Sequence, residues 1–347
     1  MKLFLIDAYA LIYRSYYAFI KNPRINSKGM NTSAIFGFIN SLEDVLKREN
    51  PTHIAVGFDP KGPTFRHEAY EQYKAQRQET PEDIRKSVPF IKNIIEAYNI
   101  PILEVPRYEA DDVIGTVAKQ AEKEGFEVYM MTPDKDYGQL VSEHIFMYRP
   151  RFGGDYEIMG VPEVLGKYGL TSVDQVIDLL GLMGDSSDNI PGCPGVGEKT
   201  ALKLLSKYGT MESVLENAEN EKGALRQKLL DGAESARMSY ELGTINTDAP
   251  VSESVEDCRF NPALLANGAA ELTKLELRAV LKRVRELAGT QNQNAANMPE
   301  PNGKDAAEVR TAEFDLRDVK SDEELQACVD TLLQCTEIAF DICEQSV

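Results

Sequence analysis

The sequence has few cysteines and very few histidines. Its five cysteines are an odd number without a CxxC pair, and its three histidines (His53, His67 and His144) are far apart in the chain. This composition excludes a disulfide framework and a zinc site assembled from neighbouring His and Cys residues. The cysteines are therefore expected to be reduced thiols.

Long apolar stretches are also absent. No window approaches the roughly 18 apolar residues of a transmembrane helix, and Asp7 interrupts the apolar N-terminal segment after LFLI. No small-residue cleavage site follows, so the segment is not typical of a secretory signal peptide. We therefore expect no membrane association and a cytoplasmic location.

Basic charge is scarce as well. The formal net charge is −18, which by itself argues against a polyanionic partner. The distribution is uneven, since residues 101–200 carry −10 and 291–347 carry −9, whereas 1–100 carry +3. The excess acid of the central block and of the tail therefore needs its own explanation.

The order of the apolar patterns predicts an α/β domain over 1–160. Short apolar runs alternate there with helical periodicity, which is typical of a mostly parallel sheet with helices on both faces. The predicted strands are 2–7, 53–59, 101–106, 127–134 and 144–148, and the predicted helices are 33–48, 84–98 and 110–124.

The pattern becomes purely helical from 161 to 288, which predicts an all-α lobe packed on the sheet domain, ending in a helix over 270–288. Residues 289–308 are polar and interrupted by two prolines, and we interpret them as a flexible linker. Residues 309–347 are too few to bury a core, so we expect the truncated start of a further domain.

Carboxylates follow the predicted strands. Asp7, Asp59 and Asp134 each end one strand, and the carboxyl ends of parallel strands meet at one edge of a sheet. Six more stand at turns expected near this edge: Glu109, Asp111, Asp112, Asp136, Asp185 and Asp188. Each one alone is better explained as a helix cap, because acidic groups are favoured at helix N-termini. Together the nine repel one another and need cations.

Oxygen ligands suit Mg²⁺, with Mn²⁺ as a substitute, and nine carboxylates suffice for two or more ions. Two ions about 3.5–4 Å apart are the arrangement used for displacement at phosphodiesters. The nine carboxylates and the tail also account for the whole net charge of −18. Net acidity is therefore no argument against nucleic acid.

Basic and aromatic residues interleave in 60–86, directly after Asp59. If the segment is helical, one face carries Arg66, Tyr70, Lys74 and Arg77. Positive charge suits phosphates and flat rings suit unpaired bases, so the pattern favours single-stranded nucleic acid. A solvated surface helix is an equal alternative. Over a metal cluster, Lys74 and Arg66 are candidates to stabilise charge on the transferred phosphate.

Glycine and proline are concentrated at 191–197, before a predicted helix. Such a turn lets backbone N–H groups approach a ligand, although its spacing is not that of a P-loop. We favour a hairpin between two helices that binds a duplex backbone, and a plain helix–turn–helix connection is the alternative. The candidate DNA-binding residues here are Gly192, Gly195, Gly197, Lys199, Thr200 and Lys203.

Several of these segments, in this order, resemble the 5′-nuclease domains of bacterial DNA polymerases I, which belong to the flap endonuclease family. The matching segments are FLIDAYALIYRSYYAF, GFDPKGPTFRHEAYEQYKAQR, YEADDVIG, TPDKDYGQL and GLMGDSSDNIPGCPGVGEKTA, within about residues 1–288. The resemblance implies a PIN-like α/β core, a two-metal site formed by the nine carboxylates and a helix-hairpin-helix type motif in the α lobe.

The resemblance further implies a helical arch at about 62–86, through or beside which a 5′ single strand passes. It assigns phosphate activation to Arg66 and Lys74, and DNA contacts to Tyr73 and Arg77. It also implies K⁺ or a similar ion on the carbonyls of the 192–197 turn. The tail resembles the start of a 3′→5′ exonuclease-like domain, but FDICE lacks its Asp-x-Glu spacing. The rest of that domain and a polymerase are absent from the sequence, so neither proofreading nor polymerisation is expected of it.

We therefore expect a Mg²⁺-dependent 5′→3′ exonuclease and flap endonuclease that acts as a monomer. Its substrates would be DNA with a 5′ flap or nick and RNA/DNA primer junctions, in primer removal and DNA repair. Two alternatives stay open, a non-catalytic junction-binding module and a ribonuclease of the related PIN type. The complete ligand set counts against the first, and the 60–86 insertion and glycine turn count against the second.

Overall fold

A six-stranded sheet lies at the centre of the computed structural model, which describes residues 1–151 and 154–295. The strands are β1 (Lys2–Asp7), β2 (His53–Gly57), β3 (Ile102–Leu103), β4 (Glu127–Met131), β5 (Ile145–Pro150) and β6 (Tyr156–Met159). Their order is β3-β2-β1-β4-β5-β6. Only β6 is antiparallel to its neighbour in this sheet, so the predicted mostly parallel sheet is confirmed. The short, half-exposed β6 was not predicted because it contains no apolar run.

Helices cover both faces of this sheet. They are α1 (Ala8–Ala18), α2 (Ser33–Glu49), α3 (Phe65–Ala69), α4 (Glu82–Ala97), α5 (Ala110–Lys123), α6 (Val161–Tyr168), α7 (Gln175–Met183), α8 (Glu198–Tyr208), α9 (Met211–Glu216), α10 (Gly223–Gly243), α11 (Ala269–Lys274) and α12 (Arg278–Ala295). Short 3-10 turns lie at Asp136–Leu140, Ala218–Asn220, Glu256–Cys258 and Pro262–Gly268. No helix in the described part of the chain is long and apolar enough to span a bilayer.

Alternation along β1 divides the core in two. Leu3 and Leu5 pack with α5 and with the helices that follow β6, through residues such as Val113 and Leu179. Phe4 and Ile6 pack with α1, α2 and α4 on the other face. Successive strand residues point to opposite faces, so each face has its own apolar core.

The chain is helical from 161 to 288, as predicted, but its helices pack on both faces of the sheet. Helices α6 to α10 share the core on the α5 side, whereas Leu272 of α11 and Val280 of α12 belong to the core of the opposite face. The chain passes the end of the sheet between them, where the Phe260 N–H donates to the Thr52 carbonyl at 3.0 Å. The C-terminal helices therefore cover the second face of the sheet.

The end of this region also differs from the prediction. A single helix was expected over 270–288, but the chain turns at Glu276, whose φ is +61°, and α12 then continues to Ala295. The first residues of the predicted linker are thus helical, because no proline occurs there before Pro299. Residues 296–308 and the predicted domain start at 309–347 lie outside the described residues.

Candidate active site

The carboxyl ends of three neighbouring strands bring acidic residues together, as predicted. Strand β1 lies between β2 and β4 and is parallel to both. Asp7 ends β1 and caps α1, accepting from the Ala10 N–H at 3.1 Å. Asp59 follows β2 and accepts from the Ala110 N–H at 2.8 Å, and Asp134 follows β4. This edge therefore joins the ends of the strands to the N-terminus of α5.

Helix α1 was not predicted, although it fixes Asp7. Four tyrosines occupy its eleven residues, and aromatic residues are weak helix formers. The helix forms because Leu11 and Ile12 are buried in the core that α1 shares with α2 and because the Asp7 side chain caps it. The Thr132 hydroxyl also donates to Asp7, at 3.0 Å.

The N-terminus of α5 carries Glu109, Asp111 and Asp112, but the three have different surroundings. Asp112 is fully buried and accepts from four donors, which fills the lone-pair capacity of a carboxylate. These donors are the Glu109 N–H at 2.9 Å, the Asn246 N–H at 2.8 Å and two nitrogens of Arg66 at 2.7 Å each. The geometry favours a structural role for Asp112, and its role as a metal ligand stays a prediction.

Arg66 is likewise used inside the protein. Its guanidinium is 2% exposed and also donates to the carbonyls of Leu242 and Thr244, both at 2.9 Å. It therefore connects α3, α5 and the C-terminal end of α10. Contact between Arg66 and a phosphate stays a prediction, which this packing does not favour.

Segment 62–86 is helical only at α3 and at the start of α4. Helix α3 ends at Ala69, Tyr70 is extended, and Lys74 has a φ of +56°. The Lys74 N–H donates to the Asp188 carbonyl at 2.9 Å instead of to a helical partner, and Asn189 Nδ2 donates to the Gln72 carbonyl at 2.7 Å. The prediction of one shared helical face is therefore wrong, and the segment is held against the 185–189 turn.

Lys74 and its neighbours nevertheless reach the carboxylates. Lys74 Nζ donates to Glu109 Oε2 at 2.8 Å and lies 3.6 Å from Asp188 Oδ2. The buried Tyr73 hydroxyl donates to the same Glu109 oxygen at 2.9 Å. Arg77 forms an ion pair with Asp188 while half of its side chain stays exposed. The segment thus places two cations at one side of the acidic group.

The other carboxylates surround the turn after β4 and the 185–189 turn. Asp134 accepts from the Asp136 N–H at 3.1 Å, and Asp185 accepts from the Ser187 N–H at 2.7 Å. Lys135 Nζ contacts Asp185 Oδ2 at 2.7 Å. Lys135 was not predicted as a site residue, because a lysine between two aspartates gives no sign of which carboxylate it faces.

Burial and mutual repulsion raise several carboxyl pKa values. Burial, together with the charges of Asp59 and Asp134, raises the pKa of Asp7 to about 7. Burial and the charge of Asp134 raise the pKa of Asp136 to about 8. Burial also raises the pKa of Asp111 well above its ordinary value. Without a bound cation, these three carboxyls therefore keep their protons to a higher pH than ordinary carboxyls do.

Glu109 and Asp185 are the exceptions in this group. Burial alone would raise the pKa of Glu109, but the nearby charges of Lys74 and Arg66 outweigh burial and lower it. Burial likewise opposes the charge of Asp185, but its hydrogen bonds with Lys135 and Ser187 lower its pKa. The protein itself therefore balances the charge of these two carboxylates, through Lys74 and Lys135.

The residues fit hard divalent cations, although within residues 1–151 and 154–295 no three acidic, His or Cys side chains are already drawn together as an ion would hold them. The donors are all oxygens, which suits Mg²⁺ and Mn²⁺. Asp136 Oδ1 is buried and accepts no hydrogen bond from the described residues. A cation would satisfy this oxygen and relieve the repulsion that raises the pKa of Asp136.

The glycine turn directly follows the turn that carries Asp185 and Asp188. A Cβ on Gly192, whose φ is +66°, would lie 2.3 Å from the Gly184 N atom, so this position requires glycine. The carbonyls of Gly192 and Gly195 accept from Ser235 Oγ at 2.7 Å and Lys228 Nζ at 3.0 Å. The K⁺ site therefore stays a prediction, with two of its carbonyls already engaged.

The outer side of this turn is open. Gly195 and Gly197 are exposed, and Gly197 begins α8. Lys199 and Lys203 of α8 are exposed too, and Thr200 is half-buried beside them. Apart from the buried Gly192, the DNA-binding candidates of this motif thus lie at one accessible helix N-terminus.

Two family models match consecutive parts of the chain. Residues 2–169 match the 5′-3′ exonuclease, N-terminal resolvase-like domain, and residues 171–265 match the 5′-3′ exonuclease, C-terminal SAM fold. DNA polymerase I of Bacillus caldotenax is 41% identical over 300 residues, which is 86% of this chain and 34% of the relative. DNA polymerase I of Bacillus subtilis is 46% identical over 262 residues, 75% of this chain and 29% of the relative. The chain thus spans about a third of the length of these relatives.

Solved structures of nucleases share the fold. The match to the zinc-bound T5 5′-exonuclease covers 83% of this chain and 100% of the exonuclease chain, with a TM-score of 0.60 and 19% identity. The Rad2 catalytic core in complex with DNA substrate covers 82% of this chain and 90% of its own, with a TM-score of 0.52 and 18% identity. Human GEN1 with Holliday junction DNA covers 91% of this chain and 79% of its own, with a TM-score of 0.60 and 12% identity. On its two adjoining family matches and its identity to these polymerases, the chain belongs to the 5′-3′ exonuclease family.

Proposed function

We propose that this chain is a structure-specific 5′→3′ exonuclease and flap endonuclease that hydrolyses phosphodiester bonds with two divalent cations. The observation that supports it most is the acidic edge, where the ends of β1, β2 and β4 meet the N-terminus of α5. The cations of segment 66–77 border this edge. Family membership and the fold shared with metal-bound and DNA-bound nucleases add to it.

The carboxylates would hold Mg²⁺, with Mn²⁺ as a substitute, in two groups. Four lie at β1, β2 and the start of α5: Asp7, Asp59, Glu109 and Asp111. Four lie around the turn after β4 and the 185–189 turn: Asp134, Asp136, Asp185 and Asp188. When bound, such ions lower the pKa of water and stabilise charge on the attacking and leaving oxygens.

The protein's own cations would act on the phosphate. Lys74 is half-buried between Glu109 and Asp188, so its ammonium would offer a charged hydrogen bond to a phosphate oxygen at the acidic edge. Arg77 is more exposed and would contact the phosphate next along the strand. Tyr73 orients Glu109 through its hydroxyl and does not need to touch the substrate.

The substrate that fits these features is DNA with a 5′ flap or nick, or an RNA/DNA primer junction. The glycine turn 192–197 with Lys199, Thr200 and Lys203 would hold the duplex backbone without reading its sequence, since exposed N–H groups and lysines suit phosphates. The T5 flap endonuclease was solved as a complex with DNA and metal ions, which is in line with this substrate class. Primer removal and DNA repair in the cytoplasm, by a monomer, would be the corresponding roles.

The test is cleavage of a 5′-labelled flap duplex with Mg²⁺, with EDTA, and by Asp134→Asn. We expect cutting at the junction with Mg²⁺ only, and a loss of at least about 100-fold in Asp134→Asn. Asp231→Asn is the matched control, because Asp231 is exposed on α10, where it accepts from Gln227. Tight binding of the flap without cutting under any divalent metal would show a binding module, and preferential cutting of single-stranded RNA would show a ribonuclease.

A further inference from the structure

One ammonium group in the acidic edge has no part in the proposed reaction. Lys135 Nζ contacts Asp185 Oδ2 at 2.7 Å. Asp185 is 5% exposed, whereas 40% of the Lys135 side chain is exposed. One partner of this ion pair is therefore fixed in the protein, and the other lies where it can leave.

The two oxygens of Asp185 have different partners. Oδ1 accepts from both the backbone N–H and the hydroxyl of Ser187. Oδ2 is thus the oxygen that remains for a cation, and Lys135 occupies it. An ammonium and a divalent cation on the same oxygen repel each other strongly in a partly buried site, so the two compete for Asp185.

The neighbouring charges make this competition matter. Asp134, Asp136, Asp185 and Asp188 form one half of the site, and Asp188 is already paired with Arg77. Asp136 keeps a buried oxygen that accepts no hydrogen bond from the described residues. A divalent cation that satisfied Asp136 would also be attracted to Asp185, where Lys135 now lies.

The structure offers Lys135 a second position. A cavity of about 160 Å³ adjoins it, with walls that include Leu179, Leu180 and Met183 and with Glu198 of α8 among its lining residues. A lysine can lay its methylene chain along an apolar wall while its charge stays in water. The cavity would therefore accept the released side chain, with Glu198 as the new partner of its ammonium.

We propose that Lys135 is a tethered counter-ion of this half-site, displaced from Asp185 when a divalent cation binds, and that it weakens the affinity for that cation. The inference rests on the proposed function, because it requires the acidic edge to bind metal. It means that the ion at Asp7 and Asp59 binds first, and that the ion at Asp136 and Asp185 binds second and more weakly. In the metal-free protein Lys135 limits the repulsion among these carboxylates.

The test is a titration of the full chain with Mn²⁺. The electron paramagnetic resonance signal of free Mn²⁺ measures how much of the ion remains unbound. Wild type should show a tight and a weak site, and Lys135→Met should bind the weaker Mn²⁺ about ten-fold more tightly. The metal-free Lys135→Met protein should also melt at a lower temperature. Lys135→Arg keeps the charge and should resemble wild type. Lys207→Met removes a comparable lysine, paired with Glu221 in the helical region, and should change neither Mn²⁺ affinity.

Mn²⁺ binding by Lys135→Met that is unchanged within two-fold, or weaker than in wild type, would overturn the proposal. If circular dichroism shows Lys135→Met to be unfolded, Lys135→Gln replaces it in the same measurement. A wild-type chain that binds two Mn²⁺ ions but cuts no flap DNA would refute the proposed nuclease and not the role of Lys135. A wild-type chain that binds no Mn²⁺ would refute both.

Discussion

Arg66 and Asp112 form a buried ion pair in which two guanidinium nitrogens donate to the two carboxylate oxygens, each at 2.7 Å. Both side chains are at most 2% exposed. The pair links α3, which begins the segment over the acidic edge, to the N-terminus of α5. The position of Glu109 therefore depends on it, since Asp112 also accepts from the Glu109 N–H.

Replacing Arg66 by Met should destabilise the fold strongly. The substitution leaves the buried Asp112 charge without its partner, and breaking a buried pair from one side typically costs about 3–5 kcal/mol. Urea denaturation followed by circular dichroism measures this change in the free energy of unfolding. Arg85→Met is the control, because Arg85 is exposed at the start of α4 and should change stability by less than about 0.5 kcal/mol.

Arg66→Lys separates this structural role from a contact with phosphate. Lysine cannot donate twice in the plane of the carboxylate, so stability should fall in this variant as well. A variant that unfolds like wild type but no longer cuts flap DNA would contradict the structural role. It would support the sequence-based assignment of Arg66 to the phosphate.

The acidic edge could be predicted because it follows from a rule about sheets. Asp7, Asp59 and Asp134 each follow an apolar strand, and parallel neighbours place their carboxyl ends at one edge. The strands themselves were visible because each is a short run of Val, Ile, Leu, Phe or Met. Helix α1 and strand β6 lacked such a signal, since α1 depends on packing against α2 and β6 depends on pairing with β5.

Side-chain direction in segment 62–86 could not be predicted. Periodicity places Arg66 and Lys74 on one face of a helix, but Lys74 has positive φ and its N–H is held by the Asp188 carbonyl. That partner lies more than a hundred residues away in the chain. The division of the basic residues into a buried Arg66 and an accessible Lys74 is therefore a tertiary effect, as is the contact of Lys135 with Asp185.

The raised pKa of Asp136 predicts a pH-dependent stability for the metal-free protein. Its pKa rises from 3.8 to about 8, so the folded state keeps a proton that the unfolded chain loses. This stabilising contribution is complete below pH 3.8 and is lost as the pH rises to about 8. Asp136→Asn has no such proton. As the pH rises through this range, the stability of Asp136→Asn relative to wild type should therefore increase, by at most about 1.4 kcal/mol per pH unit.

Urea denaturation of both proteins in EDTA, between about pH 5 and pH 8, measures this difference. In saturating Mg²⁺ at pH 8, wild type should instead be the more stable protein, because an amide is a poorer ligand than the carboxylate of wild type. A constant difference across the pH range in EDTA would show that Asp136 is ionised in the folded protein and that its surroundings do not oppose its charge.

Replacing Lys74 by Met should slow cutting without a comparable loss of binding. Lys74 is placed to stabilise charge that develops on the phosphate, and removal of one such group typically costs about 10²–10³ in kcat. Single-turnover cleavage of a saturated flap duplex gives the rate, and fluorescence anisotropy in Ca²⁺ gives the affinity. Lys61→Met, an exposed lysine in the same segment, is the control. Equal losses in rate and affinity would make Lys74 a binding residue only.

Two glycines of the 192–197 turn should respond differently to alanine. At Gly192 a methyl group would meet the Gly184 backbone at 2.3 Å and φ is +66°, so Gly192→Ala should lower the free energy of unfolding by at least about 2 kcal/mol.

At Gly197 nothing lies within 4 Å of an added Cβ and φ is −96°, so Gly197→Ala should fold with unchanged stability. If the backbone at α8 lies against phosphates, the added methyl should still weaken duplex binding, several-fold, in a fluorescence anisotropy titration. Wild-type affinity of Gly197→Ala would remove this turn from the duplex interface, because the protein itself leaves space for the methyl group.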